Sequence, residues 1–175
     1  MATYKLISSL TVGSGGTSSI QFTSIPNTYT DLLLKLSLRS TNSAGWNNAP
    51  IRLQFNSETG GYSNLTIRGN GSSVSSSSND YAGTSRMFVG EGAATPSGSS
   101  MFGNAEVYIP NYTWDKNKSV SVESIRALNG GNADLNITAG LLTANSAITS
   151  ITIETYTPNS GWTEYSTAYL YGINN

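Results

Sequence analysis

The segment Asp31–Ser40 reads DLLLKLSLRS, with Leu32, Leu34, Leu36 and Leu38 on one parity and Leu33, Lys35, Ser37 and Arg39 on the other. A period of two places alternate side chains on opposite faces of an extended chain, one toward a core and one toward water. The same pattern recurs in Ile51, Leu53 and Phe55, in Leu65 and Ile67, and in Ala105, Val107 and Ile109 before Pro110. It returns in Val120 and Val122, in Leu135, Ile137, Ala139 and Leu141, and in Ile151 and Ile153. Tyr165–Ile173 alternates with apolar area on both faces, which suits a central or interface strand. Tyr4–Leu10, Ser18–Phe22 and Met87–Val89 are weaker strand candidates. No segment carries a helical stripe.

Roughly ten short strands therefore alternate with Gly, Asn, Ser and Pro turns such as Asn129-Gly130-Gly131 and Pro158-Asn159-Ser160-Gly161. Half-buried strands cover their apolar faces by stacking two sheets, so the expected fold is all-β, an antiparallel two-sheet β-sandwich, with a closed barrel as the alternative. Shared parity places Leu34, Leu36, Leu38, Leu53, Phe55, Leu65, Ile67, Val107, Ile137 and Ile153 in one core. A chain of 175 residues makes one domain, 1–175. Residues 1–17 read as an N-terminal arm, and 70–80 and 90–100 as long polar loops, because NGSSVSSSSN and GEGAATPSGSS are low in complexity.

Composition excludes much chemistry. Charged residues are 11% of the chain, while Ser (28), Thr (20), Asn (18) and Gly (18) make up nearly half of it, so neutral polar groups keep the surface wet. The absence of Cys and His removes disulfides, thiolate nucleophiles, histidine bases and the usual zinc and iron sites. No Asp cluster suits calcium, and no metal or organic cofactor is expected. Glu91 and Glu106 are the carboxylates weighed as a hydrolytic pair, without support from spacing. Gly13-Ser14-Gly15-Gly16 lacks the Lys and the helix of a phosphate loop and reads as a turn. The basic residues are scattered and the net charge is −1, which argues against nucleic acid. No apolar run approaches a membrane span, and MATYKLISSL interleaves polar residues where a signal peptide needs a continuous apolar core. Sequons at Asn64, Asn70, Asn111, Asn117 and Asn136 are as many as this Ser/Thr/Asn content produces by chance, so they carry no information.

The aromatic residues remain. Trp46, Trp114 and Trp162 fall in expected loops, where an indole can stack on a sugar, anchor a protein contact or plug the end of a sandwich. Tyr165, Tyr169 and Tyr171 form a row that reads as a packed strand face, with an interface strand as the other reading.

IQFTSIPNTYTDLLLKLSLRS (Ile20–Ser40), VYIPNYT (Val107–Thr113), NITAGLLTANSAITSITIE (Asn136–Glu154) and YSTAYLYGI (Tyr165–Ile173) together resemble small virion proteins of tailed bacteriophages, notably those of aquatic and cyanobacterial hosts. The resemblance consists of strand-like patches rather than a catalytic motif. It implies a jelly-roll sandwich without enzymatic residues, made in the host cytoplasm and carried on the virion. The expected role is a capsid decoration or cement protein bound to the major capsid protein, with a homotrimer expected by analogy to proteins on threefold points of a shell. A tail-fibre or appendage domain that binds host surface glycans through the loop tryptophans is the alternative.

Overall fold

The computed structural model describes residues 2–43, 48–78, 85–97, 100–127, 133–156 and 159–174. Its strands, in chain order, are β1 (Thr3–Thr11), β2 (Ser19–Phe22), β3 (Asp31–Leu38), β4 (Asn48–Phe55), β5 (Tyr62–Gly69), β6 (Val74–Ser78), β7 (Met87–Ala93), β8 (Gly103–Ile109), β9 (Lys118–Ala127), β10 (Ala133–Leu142), β11 (Ile151–Thr155) and β12 (Thr167–Asn174). One short 3-10 turn, Thr95–Ser97, follows β7.

The strands form a β-sandwich of two antiparallel sheets. The large sheet runs β1-β12-β3-β8-β9-β10-β5-β6, and the small sheet runs β2-β11-β4-β7. Eight strands divide equally between the sheets, in the orders β1-β12-β3-β8 and β2-β11-β4-β7, and along the chain they change sheet at every step but the one from β4 to β7. Two hairpin pairs, β5–β6 and β9–β10, join each other through β5 and β10 and extend the large sheet past β8.

Between the sheets lies one core. Leu32, Leu34, Leu38, Leu53, Phe55, Val107, Ile109, Ile151 and Ile153 are fully buried there, and Leu36 nearly so. Each such side chain contributes about 1.5–3 kcal/mol relative to leaving it in water. The alternation read from Asp31–Ser40 and from the segments of β4, β8 and β11 thus gives the correct inward parity.

On β5 and β10 the parity is inverted. Leu65, Ile67 and Ile137, expected in the core, are 55%, 51% and 55% exposed. Their neighbours Asn64, Thr66, Asn136 and Thr138 are the buried ones. A period of two separates the two faces of a strand without saying which of them is covered. On these hairpins the covered face combines apolar side chains of the core, Tyr62, Val120, Val122 and Leu142, with a polar stretch held by the Thr66–Thr138 hydrogen bond and the ion pairs of Arg68, Arg126 and Asp134.

Three segments that read as arm or loop are partly strand. Residues 1–17 hold β1, which bears out the weak strand candidate Tyr4–Leu10; it is an edge strand paired with β12 and irregular between Leu6 and Ser8. The 70–80 stretch holds β6, paired with β5. Gly90–Ala93, which reads as the start of a loop, completes β7 and is buried throughout. Serine and glycine lower strand propensity, but pairing with a ready-made neighbour overrides it.

Candidate functional site

The register places the outward side chains of the large sheet in continuous rows. One row runs Tyr169, Lys35, Glu106, Glu123, Ile137, Ile67, Ser76. The next runs Leu6, Tyr171, Leu33, Tyr108, Ser121, Ala139, Leu65, Ser78. The face therefore divides into a tyrosine half on β1, β12, β3 and β8 and an aliphatic half on β9, β10, β5 and β6. Glu106 and Glu123 stand opposite each other at the seam.

In the tyrosine half, Tyr4, Leu33, Lys35, Glu106 and Tyr171 line a shallow groove of about 360 Å³. Lys35 Nζ lies 2.9 Å from Glu106 Oε2. That hydrogen bond and the charge of Glu106 raise the Lys35 pKa above the ordinary lysine value. Tyr108 donates its hydroxyl to Asp31 Oδ2 at 2.8 Å, and the Asn111 amide donates to Asp31 Oδ1 at 2.9 Å, which fixes the turn after β8. The bond to Asp31 also pushes the Tyr108 hydroxyl up in pKa. Side by side, the groove offers aromatic faces, a cation and an anion.

The aliphatic half is built from Leu65, Ile67, Val74, Ile125, Leu135, Ile137 and Leu141, between 37% and 77% exposed. Ile67 faces Ile137, and Ile125 faces Leu135, across neighbouring strands. At one end a broad groove of about 600 Å³ is lined by the turn 69–72 together with Ile125, Ala133, Asp134 and Leu135.

Directly beneath it lies a polar layer. Glu91 of β7 is fully buried, and its Oε2 accepts from Arg126 at 2.8 Å and from Arg68 at 2.9 Å. Asp134 pairs with the same two arginines, 3.0 Å from Arg68 and in direct contact with Arg126. Burial alone would raise the Asp134 pKa, but the hydrogen bonds and charges of Arg68 and Arg126 prevail and lower it. Asp134 is thus held ionised, the reverse of what a general acid needs. Two guanidiniums and two carboxylates cancel in charge, so the cluster acts as a clasp between β7 and the added hairpins. Glu91 lies between the sheets and Glu106 on the outer face, so the two carboxylates weighed as a pair sit on opposite sides of the large sheet. Among the described residues no group of three or more His, Cys, Asp or Glu could hold a metal ion, and no helix is long and apolar enough to cross a membrane.

The tryptophans have separate fates. Trp162 is fully buried, its indole donating to the Ile153 carbonyl at 3.2 Å, and so plugs the core. Trp114 is 58% exposed on the turn after β8. That turn is held from inside by the buried Lys118, whose ammonium donates to the Trp114 and Lys116 carbonyls. Burial pushes the Lys118 pKa down. Trp46 lies outside the described residues. The tyrosine half of the face was in part readable from the Tyr165, Tyr169, Tyr171 row, though Tyr165 falls just before β12 with a positive φ of 68°. Tyr4 and Tyr108 join the others only through strand pairing, which no local pattern announces.

No protein-family model and no curated protein matches this chain. Among solved structures, HCR/D-Sa-GBL1/C is similar at 12% identity and a TM-score of 0.32 over 99% of this chain. The chain spans 43% of that structure's length, and at this TM-score the likeness carries no argument.

Proposed function

We propose that this chain is a non-enzymatic structural protein of a bacteriophage particle, a decoration or cement protein that attaches to the shell of major capsid protein and stabilises it. The observation that carries this reading is the outward aliphatic face of the added hairpins. A fold that turns its leucines and isoleucines outward, over a buried polar clasp, is built to be covered by protein. The strand orders β1-β12-β3-β8 and β2-β11-β4-β7 support a jelly-roll core, with β5–β6 and β9–β10 as additions to it. Low charge supports attachment through shape and hydrogen bonding, with weak dependence on salt. The test is heat release of genome from particles with and without the protein. Lower release temperature in its absence supports the role, and unchanged particle stability overturns it.

A second reading is favoured by the tyrosine groove. Tyr4 and Tyr171 beside the Lys35–Glu106 pair offer the stacking and hydrogen-bonding chemistry that a sugar requires. In this reading the chain is a tail appendage binding host surface glycans. Unchanged particle stability together with failed host adsorption would select it.

A further inference from the structure

We propose that Asn70 and Gly71 form a self-modifying site at the β5–β6 turn. There the Gly71 nitrogen closes on the Asn70 side-chain carbonyl to a succinimide, releasing ammonia, and water opens the ring to aspartate or isoaspartate. The site is independent of the role proposed above.

The first argument is the pair itself. Ring closure needs the nitrogen of the following residue to reach Asn70 Cγ, and glycine has no Cβ to bar the approach. The sequence holds this pair twice, at Asn70-Gly71 and Asn129-Gly130, and the second lies outside the described residues. Both Asn70 and Gly71 are exposed, so solvent reaches the reacting atoms. Gly71 holds φ at +84°, with nothing within 4 Å of the place a Cβ would take. Its amide has no hydrogen-bond partner among the described residues.

The second argument is the placing of donors. Asn70 Oδ1 accepts from the Ser73 amide at 2.8 Å, from the Ser72 amide at 3.0 Å and from the Ser73 hydroxyl at 3.3 Å. When nitrogen adds to Cγ, Oδ1 takes up the negative charge. Donors already aimed at an oxygen that becomes an oxyanion lower the barrier without reorganising. Two of them are backbone amides of a turn that is itself closed by the Asn70 amide, donating to the Ser73 carbonyl at 3.2 Å. The same bonds hold the side chain against its own backbone, so less orientational freedom remains to be lost on ring closure.

The reaction balances with water as the co-reactant. Solvent takes the Gly71 amide proton, the nitrogen lone pair forms the bond to Cγ, and the carbonyl π pair moves onto Oδ1. Return of that pair expels Nδ2, which leaves as ammonia with a proton from solvent. Water then adds to one of the two ring carbonyls and breaks its bond to the Gly71 nitrogen. Opening at the main-chain carbonyl leaves isoaspartate, and opening at Cγ leaves aspartate.

The product alters the surface. Asn70 and Asp134 line the same groove at the end of the aliphatic half, so conversion adds a second carboxylate there. Isoaspartate also puts one more carbon into the main chain of the turn after Gly69, which stands opposite Val74 and sets the β5–β6 register.

The test follows the purified full chain at neutral pH by peptide mapping and mass spectrometry, folded and, in parallel, unfolded in guanidinium chloride. The expected result is conversion of Asn70 at a rate roughly tenfold higher in the folded chain, with isoaspartate among the products. Ser73→Ala, which removes one donor from an exposed turn, should slow the folded chain by roughly twofold to fivefold with the β-sheet circular dichroism kept. If that variant fails to fold, the comparison of folded with unfolded wild type decides alone. A folded rate equal to or below the unfolded one would overturn the site, and an unchanged rate in folded Ser73→Ala would overturn the part given to the hydroxyl. Aspartate without isoaspartate would overturn the ring route.

Discussion

Thr66 and Thr138 face each other across β5 and β10, and their hydroxyls share a 2.9 Å hydrogen bond in the interior between the sheets. At the neighbouring position of the antiparallel register, Ile67 and Ile137 also face each other, but toward solvent. The hydroxyl pair is therefore one of the polar contacts on the covered side of these hairpins, beside the ion pairs of Arg68, Arg126 and Asp134. Thr66→Val or Thr138→Val alone leaves one hydroxyl buried without its partner, at a cost of about 1–3 kcal/mol. The double substitution removes both groups with little change of shape and is expected to be nearly neutral. Denaturation midpoints of the four proteins in a double-mutant cycle check this, and additive losses would contradict it.

The clasp formed by Glu91, Asp134, Arg68 and Arg126 makes stability depend on acid. The folded-state pKa of Asp134 is depressed, so its contribution is fully present above the ordinary carboxylate value of 3.8. That contribution fades as pH falls through the lower folded value. Thermal melts from pH 7 downward should therefore hold steady and then drop below about pH 4. In Asp134→Asn the acid-side drop should shrink. Glu91→Ala removes a carboxylate on which both arginines converge. It is expected to cost about 3–5 kcal/mol, as when one partner of a buried ion pair is deleted.

Gly90 lies in β7 at φ +108°, and a Cβ there would sit 2.0 Å from Ser124 Oγ on β9. Both the backbone and the space require glycine. Gly90→Ala should lose roughly 2–6 kcal/mol, from backbone strain and overpacking together. Adding Ser124→Gly should restore the packing part and leave the strain. Complete rescue by the second substitution would show that the backbone conformation costs nothing.

The sandwich and most of its core could be read from alternation alone, because Leu34, Leu36, Leu38, Leu53, Phe55, Val107 and Ile153 follow the ordinary rule that the apolar parity goes inside. The same rule failed at Leu65, Ile67 and Ile137. What decides the face there is a partnership over long range: Arg68 and Arg126, which also hold Asp134, meet Glu91, which stands in a stretch that reads as loop. No local period records that meeting. β1 shows only as the weak candidate Tyr4–Leu10, and β6 not at all, for a related reason. As edge strands, each pairs on one side only and buries little, so their sequences keep the polar, low-complexity character of linkers. The candidate site was readable in pieces. The tyrosines of β12 stood out as a row, whereas Tyr4, Lys35, Glu106 and Tyr108 become neighbours only once β1, β12, β3 and β8 are in register.

Trp162 and Trp114 separate the structural from the contact role of an indole. Trp162 is tied at its backbone to Thr17, donating to the Thr17 carbonyl at 2.7 Å and accepting from the Thr17 amide at 3.0 Å, while its ring fills the end of the core. Trp162→Ala should cost about 3–5 kcal/mol by opening a cavity among buried neighbours. Trp162→Phe keeps an aromatic ring and the backbone bonds but leaves the Ile153 carbonyl without the indole donor, an expected loss of about 1–3 kcal/mol. Trp114→Ala removes a side chain that is mostly in water and should change stability by no more than about 0.5 kcal/mol. Chemical denaturation of the three variants tests the ranking. Host adsorption by particles carrying Trp114→Ala then separates the two functional readings at this position. Adsorption that stays normal agrees with attachment to the shell, and its loss in a fully stable variant would make the exposed turn a host-binding contact.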